Sequence, residues 1–124
     1  DAIKRFAAEW DPQPFHLDED AAAKTPFGTI AASGWQTLLV AFNLCIEAGV
    51  WNDAALGASG MDEVRWFKPV YPGDVIHAEN EVIWAEPSKS RPHMGRLKVR
   101  TDVINQTGEK VATFTSLAMM RTRG

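Results

Sequence analysis

Two hydrophobic periods divide the chain. Up to about Gly49 the apolar residues recur every three or four positions, as on helix faces, and from Asp62 onward they alternate, as on strands. Ile3, Phe6, Ala7 and Trp10 predict a short helix over Ala2–Glu9. Asp18-Glu19-Asp20 opens a second, running to about Lys24, where carboxylates complement the positive end of the helix dipole. Thr25-Pro26-Phe27-Gly28 ends it, and a third helix is predicted from Trp35 to about Gly49. Its residues Leu38, Leu39, Val40, Ala41, Phe42, Leu44, Cys45 and Ile46 point in nearly every direction, so this helix is expected to be buried on most sides.

In the second half, Leu97, Val99, Thr101 and Val103 alternate with Arg96, Lys98, Arg100 and Asp102, the pattern of a half-solvated antiparallel strand. Ile76, Ala78, Val82 and Trp84 alternate in the same way with His77, Glu79, Glu81 and Ile83. Tyr71-Pro72-Gly73-Asp74 and Asn105-Gln106-Thr107-Gly108 are turn signals between strands. Val111 to Met120 is apolar on both faces and predicts a central strand with Met119 and Met120 in its core. A nearly all-apolar helix about 22 Å long cannot lie wet on a flat sheet. The expected fold is therefore α+β, a curved antiparallel sheet wrapped around that helix. Asn52 to Gly60 reads as the one linker-like piece, too short to separate domains, so residues 1–124 are expected to form a single domain.

Composition narrows the classes. With 124 residues and 45% hydrophobic residues the chain can bury a core without disulfides or metal. A formal net charge of −3, with Lys and Arg scattered, argues against nucleic acid as a partner. No apolar run reaches the ~20 residues of a membrane span. The single cysteine, Cys45, reads as an inert buried thiol and suits a reducing cytoplasm. His77 and His93 have no neighbours in sequence that would complete a metal site, and none is expected.

The candidate chemistry lies in Asp11-Pro12-Gln13-Pro14-Phe15-His16, a proline-stiffened loop, and in Ser33-Gly34-Trp35 at the start of the long helix. A carboxylate beside an imidazole can move protons near neutral pH. A helix start rich in small residues offers unpaired N–H groups to a developing oxyanion. Base and oxyanion donor together suggest carbonyl chemistry. Locally the same residues also read as a turn before Pro12, an exposed loop histidine and an ordinary helix cap. Likewise Phe27, Trp35 and Phe42 read either as core or as the lining of an acyl tunnel, and Ser88-Lys89-Ser90-Arg91-Pro92 as a solvated hairpin loop or a partner for phosphates.

Three stretches carry a resemblance: Asp11 through His16 to Asp18, Phe27-Gly28 with Ile30-Ala31-Ala32-Ser33-Gly34-Trp35, and Val64-Arg65-Trp66-Phe67-Lys68-Pro69 through Pro72-Gly73-Asp74. Together they resemble the MaoC-like acyl dehydratases, which include the (R)-specific 2-enoyl-CoA hydratases, over nearly the whole chain. The resemblance implies the hotdog fold, a homodimer or dimer of dimers, and a first strand ahead of Asp1. It also implies that Asp11 and His16 hold and activate water while the Gly34 N–H polarises a thioester carbonyl, with Ser33, Trp35 and Phe27 meeting the substrate. The implied reaction is reversible addition of water to a trans-2-enoyl thioester, giving a 3-hydroxyacyl thioester. Coenzyme A, or an acyl carrier, enters as part of the substrate and no other cofactor is expected. Gln13, where asparagine is common, and Ser33, where many members have histidine, depart from the family pattern. Rival expectations on the same fold are a thioesterase and a non-catalytic acyl-binding subunit.

Overall fold

The computed structural model describes residues 1–49 and 55–122. Four helices precede four strands: α1 (Ala2–Trp10), α2 (Pro14–Leu17), α3 (Glu19–Ala23), α4 (Gly34–Glu47), β1 (Ala55–Trp66), β2 (Ile76–Pro87), β3 (Met94–Asn105) and β4 (Lys110–Arg121). The strands form one antiparallel sheet in the order β1-β4-β3-β2. β4 lies inside the sheet, as its two apolar faces require. On β3, Val99, Thr101 and Val103 are buried while Arg96 and Arg100 are exposed, so the alternation holds. The concave face packs on α4, where Leu38 and Ala41 join Val103, Val111, Ala112 and Phe114 in the main core. Cys45, Val99 and Ala118 make a second cluster toward the helix end.

Local chemistry sets the helix ends. Asp18 caps α3 by accepting the Asp20 N–H at 3.2 Å, and Ser33 caps α4 by accepting the Trp35 N–H at 3.3 Å. Gly49, with φ +79°, follows the end of α4 where a left-handed residue is needed. Gly108, with φ +82°, closes the β3–β4 hairpin, whose Asn105 side chain accepts the Thr107 and Glu109 N–H groups. Tyr71–Asp74 is a tight turn but not a hairpin, because the strands on either side of it, β1 and β2, stand at opposite edges of the sheet.

Four expectations need correction. The segment holding His16 is a short helix instead of a loop, because Pro14 occupies its first turn, where no N–H is needed. Part of the linker-like stretch is strand: β1 starts at Ala55, and residues 52–54 lie outside the described residues. Ala55–Gly60 has poor strand formers, and its extended form comes from pairing with β4 through two register shifts. In β2 an extra residue at Ile83 breaks the alternation, so Val82 opposes Val99 but Trp84 opposes Lys98. Trp84 thereby moves to the outer face, under the Arg96 guanidinium at 5.7 Å. Finally, α4 is buried on one side only. Four strands cover Thr37, Leu38, Ala41 and Cys45, whereas Leu39 and Ile46 remain 55% and 48% exposed. Met119 and Met120 are half-buried, and Cys45 is buried with its thiol against the Asn80 amide.

Candidate active site

Asp11 ends α1 and starts a three-residue turn across Pro12, in which the Gln13 N–H reaches back to the Asp11 carbonyl at 2.8 Å. The turn brings the Gln13 side chain back as well, and its Nε2 donates to Asp11 Oδ1 at 2.6 Å. One helical turn later His16 is buried, with its ring 4.4 Å from that of Phe15. His16 Nδ1 lies 2.8 Å from the Ala31 carbonyl. A carbonyl oxygen can only accept, so this bond puts a proton on Nδ1, and in the neutral form of the ring the lone pair is on Nε2. That Nε2 faces Asp11 Oδ2 at 3.4 Å.

From the other side, the Ser33 hydroxyl donates to the same Oδ2 at 2.7 Å while accepting the Trp35 N–H. Ser33 thus joins the start of α4 to the carboxylate. It is fully buried and does not line the cavity, so the expected substrate contact is replaced by a contact with Asp11. Two donors hold the carboxylate: hydrogen bonds from Gln13 and then Ser33, with the adjacent His16 adding to them, keep its pKa below the ordinary 3.8 against the opposing effect of burial.

These groups open on a cavity of about 410 Å³. Asp11, His16, Gly34, Trp35 and Phe27 all line it, with residues 66–70 forming the opposite wall. All the expected site residues but Ser33 line the cavity, and Ser33 joins them through its bond to Asp11. Gly34 is the first residue of α4, and its N–H has no partner among the described residues. A side chain there would displace an indole: an added Cβ would lie 2.5 Å from Trp66 Nε1, because the ring rests on the helix start and donates to the Gly34 carbonyl at 2.9 Å. Ala32 N–H donates to the Val70 carbonyl at 2.7 Å, which ties this loop to the far wall.

The sequence reading missed three contributors. Gln13 was visible only as a departure from the family pattern, Trp66 stood in a stretch that carries the resemblance but had no role assigned to it, and the Ala31 carbonyl carries no signal in its side chain. Lys68, at the cavity wall, is paired with Glu109, whose carboxyl that ammonium and the Thr107 and Asn105 side chains hold at about 2. No group of three or more His, Cys, Asp or Glu stands together among the described residues. None of the described helices is long and apolar enough to cross a membrane.

The sheet and its helix match known proteins. The MaoC like domain model matches residues 1–116. A crystal structure of the MaoC-like dehydratase from Rhodospirillum rubrum superposes with a TM-score of 0.90 at 42% identity, covering 99% of this chain and 84% of that one. The uncharacterized protein YdeM of Bacillus subtilis (strain 168) is 40% identical over 111 residues, 90% of this chain and 77% of that protein. Mesaconyl-CoA hydratase of Cereibacter sphaeroides is 40% identical over 88 residues, which are 68% of this chain and 25% of that longer protein. The fold is the hotdog fold. The chain belongs to the MaoC-like family of hydratases and dehydratases.

Proposed function

We propose that the protein adds water reversibly to a trans-2-enoyl thioester, with coenzyme A as the carrier, to give a 3-hydroxyacyl thioester. One observation carries this reading: Asp11 Oδ2 and Nε2 of His16, which in the neutral ring are both proton acceptors, stand 3.4 Å apart at a cavity that Gly34 also lines. A water lying against both can give one O–H to each, which turns an oxygen lone pair toward the cavity.

In the proposed reaction that lone pair attacks the β-carbon. Asp11, stabilised as an anion by Gln13 and Ser33, is the poorer proton acceptor, so His16 Nε2 takes the water proton and returns it to the α-carbon. Water is thereby divided between the two carbons with no net proton change. Between the two steps, negative charge on the thioester oxygen is held by the Gly34 N–H at the positive end of α4. No cofactor beyond the coenzyme A of the substrate is invoked. We further propose a homodimer as the working form, since the apolar side of α4 left open by the sheet suits cover by a second chain.

The test is incubation with crotonyl-CoA. Loss of the conjugated-thioester absorbance without release of free thiol, and a product of (R) configuration, is the expected result. Thiol release would replace hydration by hydrolysis, and binding without conversion would leave an acyl carrier.

A further inference from the structure

The Gly34 N–H has no side chain of its own to hold it, and glycine has more backbone freedom than any other residue. What restrains it comes from another element. Trp66 is the last residue of β1 and pairs with Ala112 of β4, and the next two N–H groups, of Phe67 and Lys68, both donate to the Val111 carbonyl, at 2.8 and 3.2 Å. From that fixed backbone its indole meets the first residue of α4 in two ways. Its Nε1–H donates to the Gly34 carbonyl at 2.9 Å, and its ring stands where a side chain would, with Nε1 and Cε2 only 2.5 and 2.6 Å from an added Cβ. Trp35 meets the same indole edge to face, with centroids 5.8 Å apart and planes at 77°.

We propose that Trp66 is a positioning residue for the oxyanion donor: the indole clamps the start of α4 and keeps the Gly34 N–H turned into the cavity, an inference that rests on the thioester reading above. A hydrogen bond to the Gly34 carbonyl and a ring against its Cα limit rotation on both sides of that atom, so the N–H keeps one direction without needing a protein acceptor. An N–H already bonded within the protein could not serve an oxyanion, and one with neither partner nor clamp would sample many directions. The same contact accounts for glycine at position 34, since alanine would displace the indole although it leaves the N–H in place. Gly34 and Trp66 thus act as a pair, one supplying the donor and the other its direction.

Three variants test the clamp: Trp66→Phe, which keeps an aromatic ring but loses the Nε1–H bond, Trp66→Ala and Gly34→Ala. With crotonyl-CoA each should lower kcat by up to about 10²-fold, the effect of a misplacement of about 1 Å. KM and the pH dependence of kcat should stay native, because the contact acts in the transition state and leaves the dyad alone. Combining Trp66→Ala with Gly34→Ala should be no worse than either alone, since both remove one shared interaction. In nitrogen-15 relaxation NMR without substrate, the Gly34 backbone order parameter should be near the rigid value of about 0.85 in the native protein and fall toward about 0.6 in Trp66→Ala. Trp66→Phe should show a smaller fall and carries the comparison should the alanine variant fail to fold. A fall in the order parameter with no turnover of any enoyl thioester by the native protein would support the clamp and overturn hydration. An unchanged order parameter would overturn the clamp whatever the turnover, and so would effects of Trp66→Ala and Gly34→Ala on kcat that multiply.

Discussion

The two spaces that flank α4 differ in kind. At the helix start every polar side chain of the dyad has a partner: Asp11 holds Gln13 and Ser33, and His16 holds the Ala31 carbonyl. Along the next three turns the helix shows solvent a row of exposed large apolar residues, Leu39, Phe42 and Ile46, over a wide groove. The first region is small and over-determined, the second large and open. Chemistry needs groups fixed to fractions of an ångström, whereas an exposed apolar face needs only a surface that covers it. One helix supplies both because its capped, glycine-started end is polar and its body is not.

Substitution can separate the two regions. Asp11→Asn should lower kcat/KM for crotonyl-CoA by ~10² to 10⁴-fold and leave the apolar body of α4 unchanged, since it alters only the carboxylate and its polar partners. His16→Ala should match it, and either variant near native activity would contradict the roles assigned. A core change should act on both regions together. Phe114, almost fully buried between helix and sheet, should cost about 3–5 kcal/mol of stability as Phe114→Ala in urea unfolding, whereas Trp35→Ala should cost less than about 1 kcal/mol. Comparable losses for the two would mean that the groove side is as tightly packed as the core.

Ser33→Ala sharpens the contrast from the polar side. It removes the α4 cap and one of the donors to Asp11, with an expected loss of about 1 kcal/mol and a rise in the Asp11 pKa visible by carboxyl NMR. Gln13→Leu should have the smallest effect and the clearest pH signature. The folded pKa of Asp11 is lower than its ordinary 3.8, so the unfolded chain takes up that proton first as pH falls. The stabilisation is complete above 3.8 and is lost as pH drops through the folded value. Gln13→Leu removes the largest cause of the lowering. The stability gap between native and variant should therefore be present at neutral pH and close in acid, and a gap that widened on acidification would contradict this account.

Much of the layout was legible because it depends on short-range patterns. The 3.6 period, the Asp18 and Ser33 caps, the Gly108 turn and the alternation of β3 are each decided within a few residues. Asp11, His16 and Gly34 were legible through a motif whose parts lie within 24 residues of one another. The misreadings share a different cause. Ala55–Gly60 becomes a strand only because β4 offers it partners, and Trp84 changes face because one bulged residue shifts the register. Neither a partner strand nor a bulge leaves a mark in local composition.

By itself the sequence determined which segments are helix or strand, that a curved sheet must cover an apolar helix, and which residues could carry acid–base chemistry, since periodicity and side-chain type decide these. Only the tertiary structure decided that the Ser33 hydroxyl serves Asp11 instead of a substrate, that Ala31 sets the His16 tautomer, and that Trp66 lies on Gly34. Each of those contacts joins residues at least 15 positions apart, and such pairing follows from the packing of whole elements, to which no single stretch of chain has access.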